Sequence, residues 1–161
     1  MIDKKILIIT YYWPPSGGSG VQRWLNFSNY LVDMGYDITV LSPESADYPI
    51  SDSSLINKVN PLIKILKVPI FEPAKFFKSK AKNSDNIENK GITNYLKLFI
   101  RSNFFFPDSR MFWINEVVKR ASSFITKKNI NCVITTSPPF STNIIGYKLK
   151  LKNNIIWISD Y

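Results

Sequence analysis

The first forty residues restrict the fold more than any other part of the chain. An apolar strand, Lys5-Ile-Leu-Ile-Ile9, runs into the turn Thr10-Tyr-Tyr-Trp-Pro-Pro-Ser-Gly-Gly-Ser-Gly20. A helical run then reaches Gly35, and a second strand covers 38–41. Val21, Trp24, Leu25, Leu31 and Val32 recur at helical spacing, with Ser28 on the same stripe. Gly35 is a natural left-handed stop for that helix. Strand, glycine turn, helix and strand in this order form a β-α-β unit of a parallel sheet. In such a unit the first N–H groups of the helix face a ligand arriving at the turn, and a negatively charged group suits that place best.

The rest of the chain repeats the alternation. Residues 43–62, with their Pro, Ser, Asp and Asn, read as a long loop with a single helical turn, and 63–68 as a third strand. Residues 72–91 are rich in Lys and Asn around Phe76 and Phe77 and read as a mobile insertion; 94–100 look helical. A long helix is expected over 111–128 and a fourth strand over 132–135. After Ser137-Pro-Pro139 a helix runs to about residue 152, with Ser141 or Thr142 as its cap, and a fifth strand covers 155–159. The expected fold is α/β: a Rossmann-like, doubly wound parallel sheet in three α/β/α layers, within one domain over 1–161. Right-handed crossovers give the strand order 3-2-1-4-5, with the first strand central.

Charge and cysteine usage limit the chemistry. The chain has 21 Lys and Arg against 12 Asp and Glu, and the excess is uneven. Residues 64–101 hold nine bases and three acids, and residues 119–152 hold seven bases and no acid. Such surfaces attract phosphates, anionic lipid heads or nucleic acid, although a solvated lysine face reads the same way. There is no His, which removes the commonest general base and the commonest metal ligand. Cys132 stands alone in an apolar run, so no disulfide forms within the chain and a buried packing role is expected. No metal site is legible, and none is expected. The apolar run at 6–9 is too short for a signal peptide and no window of 18 apolar residues occurs, so the expected address is the cytoplasm. Lys75, Lys78, Lys80 and Lys82 beside Phe76 and Phe77 suggest a peripheral contact with the inner face of a membrane.

Three loops carry the candidate chemistry. The first is Ser16-Gly-Gly-Ser-Gly20-Val-Gln-Arg23, where glycines admit a ligand close to the backbone. As a dinucleotide fingerprint it fails, because no third Gly follows and no acid ends the second strand. The second is Ser137-Pro-Pro-Phe-Ser-Thr-Asn143, after the fourth strand and so beside the first loop at the point where strand order reverses. The third is the aromatic stretch at 104–113, with Asp108 and Arg110 inside it. It is either a docking surface or the core-facing start of a helix.

Together these loops resemble the N-terminal domain of family-four glycosyltransferases, retaining enzymes of the GT-B fold. The resemblance rests on the Tyr-Trp-Pro-Pro opening with its glycines and Arg23, on Pro107-Asp108 with Arg110 and Trp113, on Thr135-Thr-Ser-Pro-Pro, and on Trp157-Ile-Ser-Asp160. It covers nearly the whole chain and is weakest over 44–95. The resemblance implies that this domain holds the acceptor, while a second domain, outside these 161 residues, holds most of a nucleotide-sugar donor. Gly17, Gly18 and Gly20 would face the donor phosphates, supported by Arg23. Trp13, Asp108, Arg110, Ser137, Phe140 and Asn143 are the candidate acceptor-side residues. Relatives commonly carry His where this chain has Phe140 and Asn143, and neither residue here can act as a base. Asp160, at the end of the fifth strand, is the best-placed ionisable group for the acceptor hydroxyl. A carboxylate is a weak base at neutral pH, so orientation of the hydroxyl is its expected role.

The expected function is therefore the acceptor-binding half of a retaining glycosyltransferase. It would move a sugar from a nucleotide-sugar, a co-substrate rather than a cofactor, to a polysaccharide or lipid-linked acceptor, and would be inactive alone. Another nucleotide-binding Rossmann-like enzyme is one alternative. A basic module for membrane or nucleic-acid surfaces is another, although no helix-turn-helix or RNA-binding aromatic motif is present and nucleic acid is not expected as a partner.

Overall fold

A computed structural model of the chain describes residues 4–46, 48–70, 108 and 110–161. The element order is β1 (Lys5–Ile9), α1 (Ser19–Asp33), β2 (Asp37–Pro43), a 3-10 turn (Ser53–Lys58), β3 (Lys64–Val68), a 3-10 turn (Met111–Trp113), α2 (Ile114–Lys128), β4 (Cys132–Thr136), α3 (Ser141–Lys152) and β5 (Ile156–Asp160). The five strands are all parallel, in the order β3-β2-β1-β4-β5, with β1 central. Fold class and strand order are those the sequence dictates. The insertion at 72–91, the helix at 94–100 and the aromatic run at 104–106 lie outside the described residues.

Period-two alternation along β1 divides the core into two layers. Leu7, Ile9 and Tyr11 pack with Val117, Ala121, Ile145 and Leu149 beneath α2 and α3. Ile6, Ile8 and Trp13 pack with Val21, Trp24 and Leu25 beneath α1. Each such side chain contributes about 1.5–3 kcal/mol when fully buried. The α1 stripe is the one the spacing predicts: Val21, Trp24, Leu25, Ser28 and Val32 are buried, and Ser28 Oγ donates to the Trp24 carbonyl at 2.7 Å. At the end of α1, Gly35 adopts φ +83°. The Gly35 N–H donates to the Val32 carbonyl (2.8 Å) and the Tyr36 N–H to the Leu31 carbonyl (3.0 Å). This closing pair satisfies carbonyls the helix end would otherwise orphan.

One sequence expectation changes, and one alternative left open is settled. Neither Ser141 nor Thr142 caps α3 with its side chain; the cap position is Phe140, which makes no side-chain bond. The Ser141 N–H instead donates to Asp108 Oδ2 at 2.7 Å, and the Thr142 hydroxyl turns back to the Thr136 and Pro139 carbonyls. A carboxylate from outside the helix both accepts the N–H and opposes the positive end of the helix dipole, so it displaces the weaker hydroxyl cap. The segment before α2 is likewise resolved in favour of packing. Trp113 is fully buried against Tyr11, ring centroids 5.4 Å apart and edge to face, while Phe112 is exposed. Cys132 is half-buried, and burial pushes its thiol pKa up, which fits packing rather than reactivity.

Candidate functional site

A cleft of about 380 Å³ opens at the carboxyl edge of the sheet, where β1 and β4 diverge. Its floor is Thr10 and Tyr12 after β1. One wall is the glycine turn with the first turn of α1, the other is Thr136, Ser137 and Pro138 after β4, and Pro49 and Ile50 close one end. This is the topological switch point of an open α/β sheet, where ligands of this architecture bind.

The glycine turn is held open by the chain that follows β2. The Gly17 N–H donates to the Ile50 carbonyl at 3.0 Å and the Asp52 N–H to the Pro15 carbonyl at 2.7 Å. A Cβ on Gly17 would lie 2.9 Å from Ile50 Cγ2, so a larger residue would have to push the Ile50 side chain aside. Asp52 is fixed in turn by the Ser54 N–H and hydroxyl, whose hydrogen bonds hold its carboxyl pKa below the ordinary value. Gly18 sits at the start of α1 with φ +105°. The helix has no side-chain cap and no acid in its first turn. Its leading N–H groups and the positive end of its dipole therefore face the cleft unopposed. Around both Gly18 and Gly20 a Cβ would meet nothing within 4 Å. The backbone is bare where an anion would approach.

On the opposite wall, one amide organises three hydroxyls. Asn143 Oδ1 accepts from the Thr135 hydroxyl (3.1 Å) and the Ser159 hydroxyl (2.9 Å), and Asn143 Nδ2 donates to Ser137 Oγ at 2.8 Å. Trp157 Nε1 donates to Thr135 Oγ1 at 2.9 Å. Thr135 and Ser159 thus spend their protons on Asn143, whereas among the described residues Ser137 only accepts. A hydroxyl has one proton to give, and that of Ser137 stays available to a ligand in the cleft that Ser137 lines. Asn143 is set behind the cleft wall and positions Ser137.

Arg23 and Asp160 find each other. Arg23 Nη2 forms an ion pair with Asp160 Oδ2, and Trp24 Nε1 donates to the same oxygen at 2.9 Å. Asp160 Oδ1 has no hydrogen bond among the described residues. Asp160 itself does not line the cleft; Arg23 and Trp24 do. The backbone joins in, with the Ser137 N–H donating to the Asp160 carbonyl at 2.9 Å. The carboxylate therefore straps the start of α1 to the end of β5.

Of the candidates read from the sequence, Gly17, Gly18, Gly20, Arg23 and Ser137 line one cleft. The others lie elsewhere. Trp13 is fully buried in the core under α1. Asp108 spends Oδ1 on the Arg110 N–H (2.8 Å) and Oδ2 on Ser141. Arg110 lies over the Tyr11 ring, 4.9 Å from its centroid. Phe140 is exposed at the start of α3. Sequence reading missed Thr10, Tyr12 and Thr136, although strand-end position alone points to them. Ile50 carried no signal, because its place depends on how the loop after β2 folds back. Among the described residues no cluster of three acids or thiols gathers that could hold a metal ion, and no helix is long and apolar enough to cross a membrane.

No protein-family model and no curated protein matches the chain. Solved structures share its fold. UGT2 of Phytolacca americana complexed with UDP-2fluoro-glucose and pterostilbene matches with a TM-score of 0.56 at 17% identity, over 99% of this chain. The apo form of that protein matches with a TM-score of 0.54 at 16% identity, over 96% of the chain. The C-terminal domain of a hydrogenase from Pyrococcus furiosus matches with a TM-score of 0.53 at 14% identity, over 98% of this chain and 90% of its own length. The chain spans only 30% and 28% of the two UGT2 chains. One fold thus serves proteins with unrelated names, so function has to be argued from the site.

Proposed function

We propose that this chain is the acceptor-side half of a retaining glycosyltransferase that moves a sugar from a nucleotide-sugar to a polysaccharide or lipid-linked acceptor. The observation that carries the reading is the cleft itself: an uncapped helix start with bare glycine backbone faces a wall carrying a spare serine proton. The leading N–H groups of α1 suit the charge of the donor diphosphate. Arg23 uses one of its five N–H donors on Asp160 and keeps others for phosphate. Asp160 lies outside the cleft lining, its Oδ2 held by Arg23 and Trp24 of the wall; its proposed role is at the cleft margin, where Oδ1 accepts a hydrogen bond from the acceptor hydroxyl and orients it, while Ser137 donates to a substrate oxygen. The remainder of the donor belongs to a second domain, so this half binds and orients without turning over by itself. The complexed UGT2 supports the reading as a protein of the same fold that holds UDP-2fluoro-glucose together with pterostilbene.

Ligand-observed NMR tests the site with UDP-, GDP- and ADP-linked sugars and with NAD. Gly20→Ala is the informative variant, because its Cβ meets no protein atom within 4 Å and so intrudes only on the ligand's space. Binding of a nucleotide-sugar that weakens about ten-fold or more in Gly20→Ala, the ratio that about 1.4 kcal/mol of lost contact produces, is the expected result. Binding of NAD alone would transfer the cleft to another class of nucleotide enzyme. Nucleotide-sugar binding unchanged in Gly20→Ala would remove the glycine turn from the site.

A further inference from the structure

The amino edge of the sheet, at the far end of the strands from the cleft, carries a second concavity. Period two puts Lys5 on the same face of β1 as Leu7 and Ile9, the face that α2 and α3 cover. The strand register sets Lys5 beside Asp37 at the start of β2, and Thr39 beside Lys64 at the start of β3. The last turn of α2 brings Lys127 and Lys128 to the same place, and together these residues enclose a pocket of about 320 Å³ with Phe124 as an apolar wall. Four ammonium groups line it against one carboxylate. That carboxylate is engaged, since both oxygens of Asp37 accept from Lys64 Nζ, at 2.8 and 3.0 Å. The negative end of α2 is answered as well. Lys5 Nζ donates to the Lys128 carbonyl at 3.2 Å, and the Ile130 N–H to the Ile125 carbonyl at 3.0 Å. The ammonium groups of Lys127 and Lys128 have no partner among the described residues. Thr39 is 4% exposed and opens onto the pocket, yet its hydroxyl makes no hydrogen bond among the described residues. A hydroxyl so deeply placed ordinarily has a partner.

We propose that this amino-edge pocket binds a compact phosphoryl anion, either inorganic phosphate or a phosphate monoester. Three features favour that chemistry. The groups left without partners are all donors: two ammonium groups from the end of α2 and one hydroxyl from β2. A phosphoryl group offers three charged oxygens to three such donors, and lysine meets it as a mobile point charge. The excess of positive charge in one concavity is self-repelling until an anion enters, which a neutral ligand would not relieve. The volume is that of a small-molecule site, and no arginine or exposed aromatic platform lies along it for a nucleic-acid strand. Phe124 offers its ring to the organic part of an ester. The pocket is distinct from the cleft. Lys5 and Thr10 stand at opposite ends of β1, about 16 Å apart at the rise of a parallel strand. The inference stands without the glycosyl-transfer reading, since phosphate binding at this edge involves no reaction.

The test is a titration of the chain with inorganic phosphate and with phenyl phosphate at constant ionic strength, followed by backbone amide NMR. The expected result is a saturable shift of the Thr39, Lys128 and Asn129 amides, on a curve separate from that of Gly18 and Gly20 in the cleft. Lys127→Ala combined with Lys128→Ala should weaken binding at the amino edge at least about ten-fold. Thr39→Val, which keeps the shape and removes the hydroxyl, should weaken it about five-fold with the circular dichroism spectrum unchanged. Both changes should leave the cleft curve where it was. Lys119→Ala combined with Lys152→Ala makes the same change in net charge and should move the amino-edge affinity less than about two-fold. Tighter binding of phenyl phosphate would support a monoester as the ligand, and equal binding would support free phosphate. Shifts confined to the cleft, or no saturable shift at the amino edge, would overturn the proposal. So would equal losses in the two double variants, which would mean diffuse charge attraction. Shifts at this edge with a DNA oligonucleotide but with neither phosphate probe would also overturn it, in favour of a polymer surface.

Discussion

Gly146 lies in the middle of α3, and sequence rules say that it weakens the helix. Replacing a mid-helix Gly with Ala ordinarily gains about 1 kcal/mol. The structure reverses the sign. A Cβ at Gly146 would sit 2.2 Å from Trp157 Nε1, 2.4 Å from Trp157 Cε2 and 2.9 Å from Thr135 Cγ2. Thr135 is fully buried, and the indole is tied to its hydroxyl at 2.9 Å. The methyl can be admitted only by driving the indole away. Overpacking costs about 1–3 kcal/mol, and the broken indole–hydroxyl bond about 0.5–1.5 kcal/mol. Set against the propensity gain, Gly146→Ala should destabilise by about 2 kcal/mol. For a chain of this length that lowers Tm by about 4–8 °C. Thermal unfolding followed by far-UV circular dichroism reads it directly. In a Trp157→Ala background the same change should cost much less, because the obstructing ring is gone. A Tm equal to or above that of the parent would refute the close approach and with it the account of how α3 seats on β4 and β5.

Asn143→Ala should destabilise by about 1–3 kcal/mol, since the Thr135 and Ser159 hydroxyls lose their acceptor and Ser137 its donor; denaturant titration with an unchanged slope checks it. Asp160→Asn should change stability by less than about 1 kcal/mol, because the Arg23 pair is partly exposed and the Trp24 bond can persist. In an enzyme carrying both halves, the same variant should bind donor and lose turnover, and unchanged turnover would exclude Asp160 from the reaction. Hydrogen bonds from Ser54 and Arg120 lower the pKa values of Asp52 and Glu116 in the folded chain. Their contribution is therefore present above the unfolded values of 3.8 and 4.5 and is lost as pH falls through the folded ones. Tm should drop on acidification below about pH 4.5, and Asp52→Asn should flatten the drop. A thiol reagent should label Cys132 slowly at neutral pH and faster on unfolding, because burial raises its pKa.

The sequence by itself determined the fold, because the period of its apolar residues and its strand–helix alternation leave few topologies once crossovers must be right-handed. Val21, Trp24, Leu25 and Val32 announced the buried face of α1, and Gly35 its end, through local spacing alone. The glycine turn was legible for the same reason: a run of glycines between strand and helix has one structural use. The partners of polar side chains were not legible, because they depend on tertiary placement. Arg23 and Asp160 stand 137 residues apart and meet only when β5 lies beside β4 under the start of α1. Asp108 reads as a loop carboxylate until the fold brings it to the backbone of Ser141, 33 residues on. Trp13 reads as a cleft aromatic next to the glycines, yet the turn carries it into the core. Asn143 sits in the first turn of α3, and only the convergence of β4 and β5 decides that its amide faces three hydroxyls rather than a substrate. Periodicity is a property of neighbours along the chain, and it fixed the scaffold. Hydrogen-bond pairing in the site is a property of distances across the sheet, and only the assembled sheet supplies those.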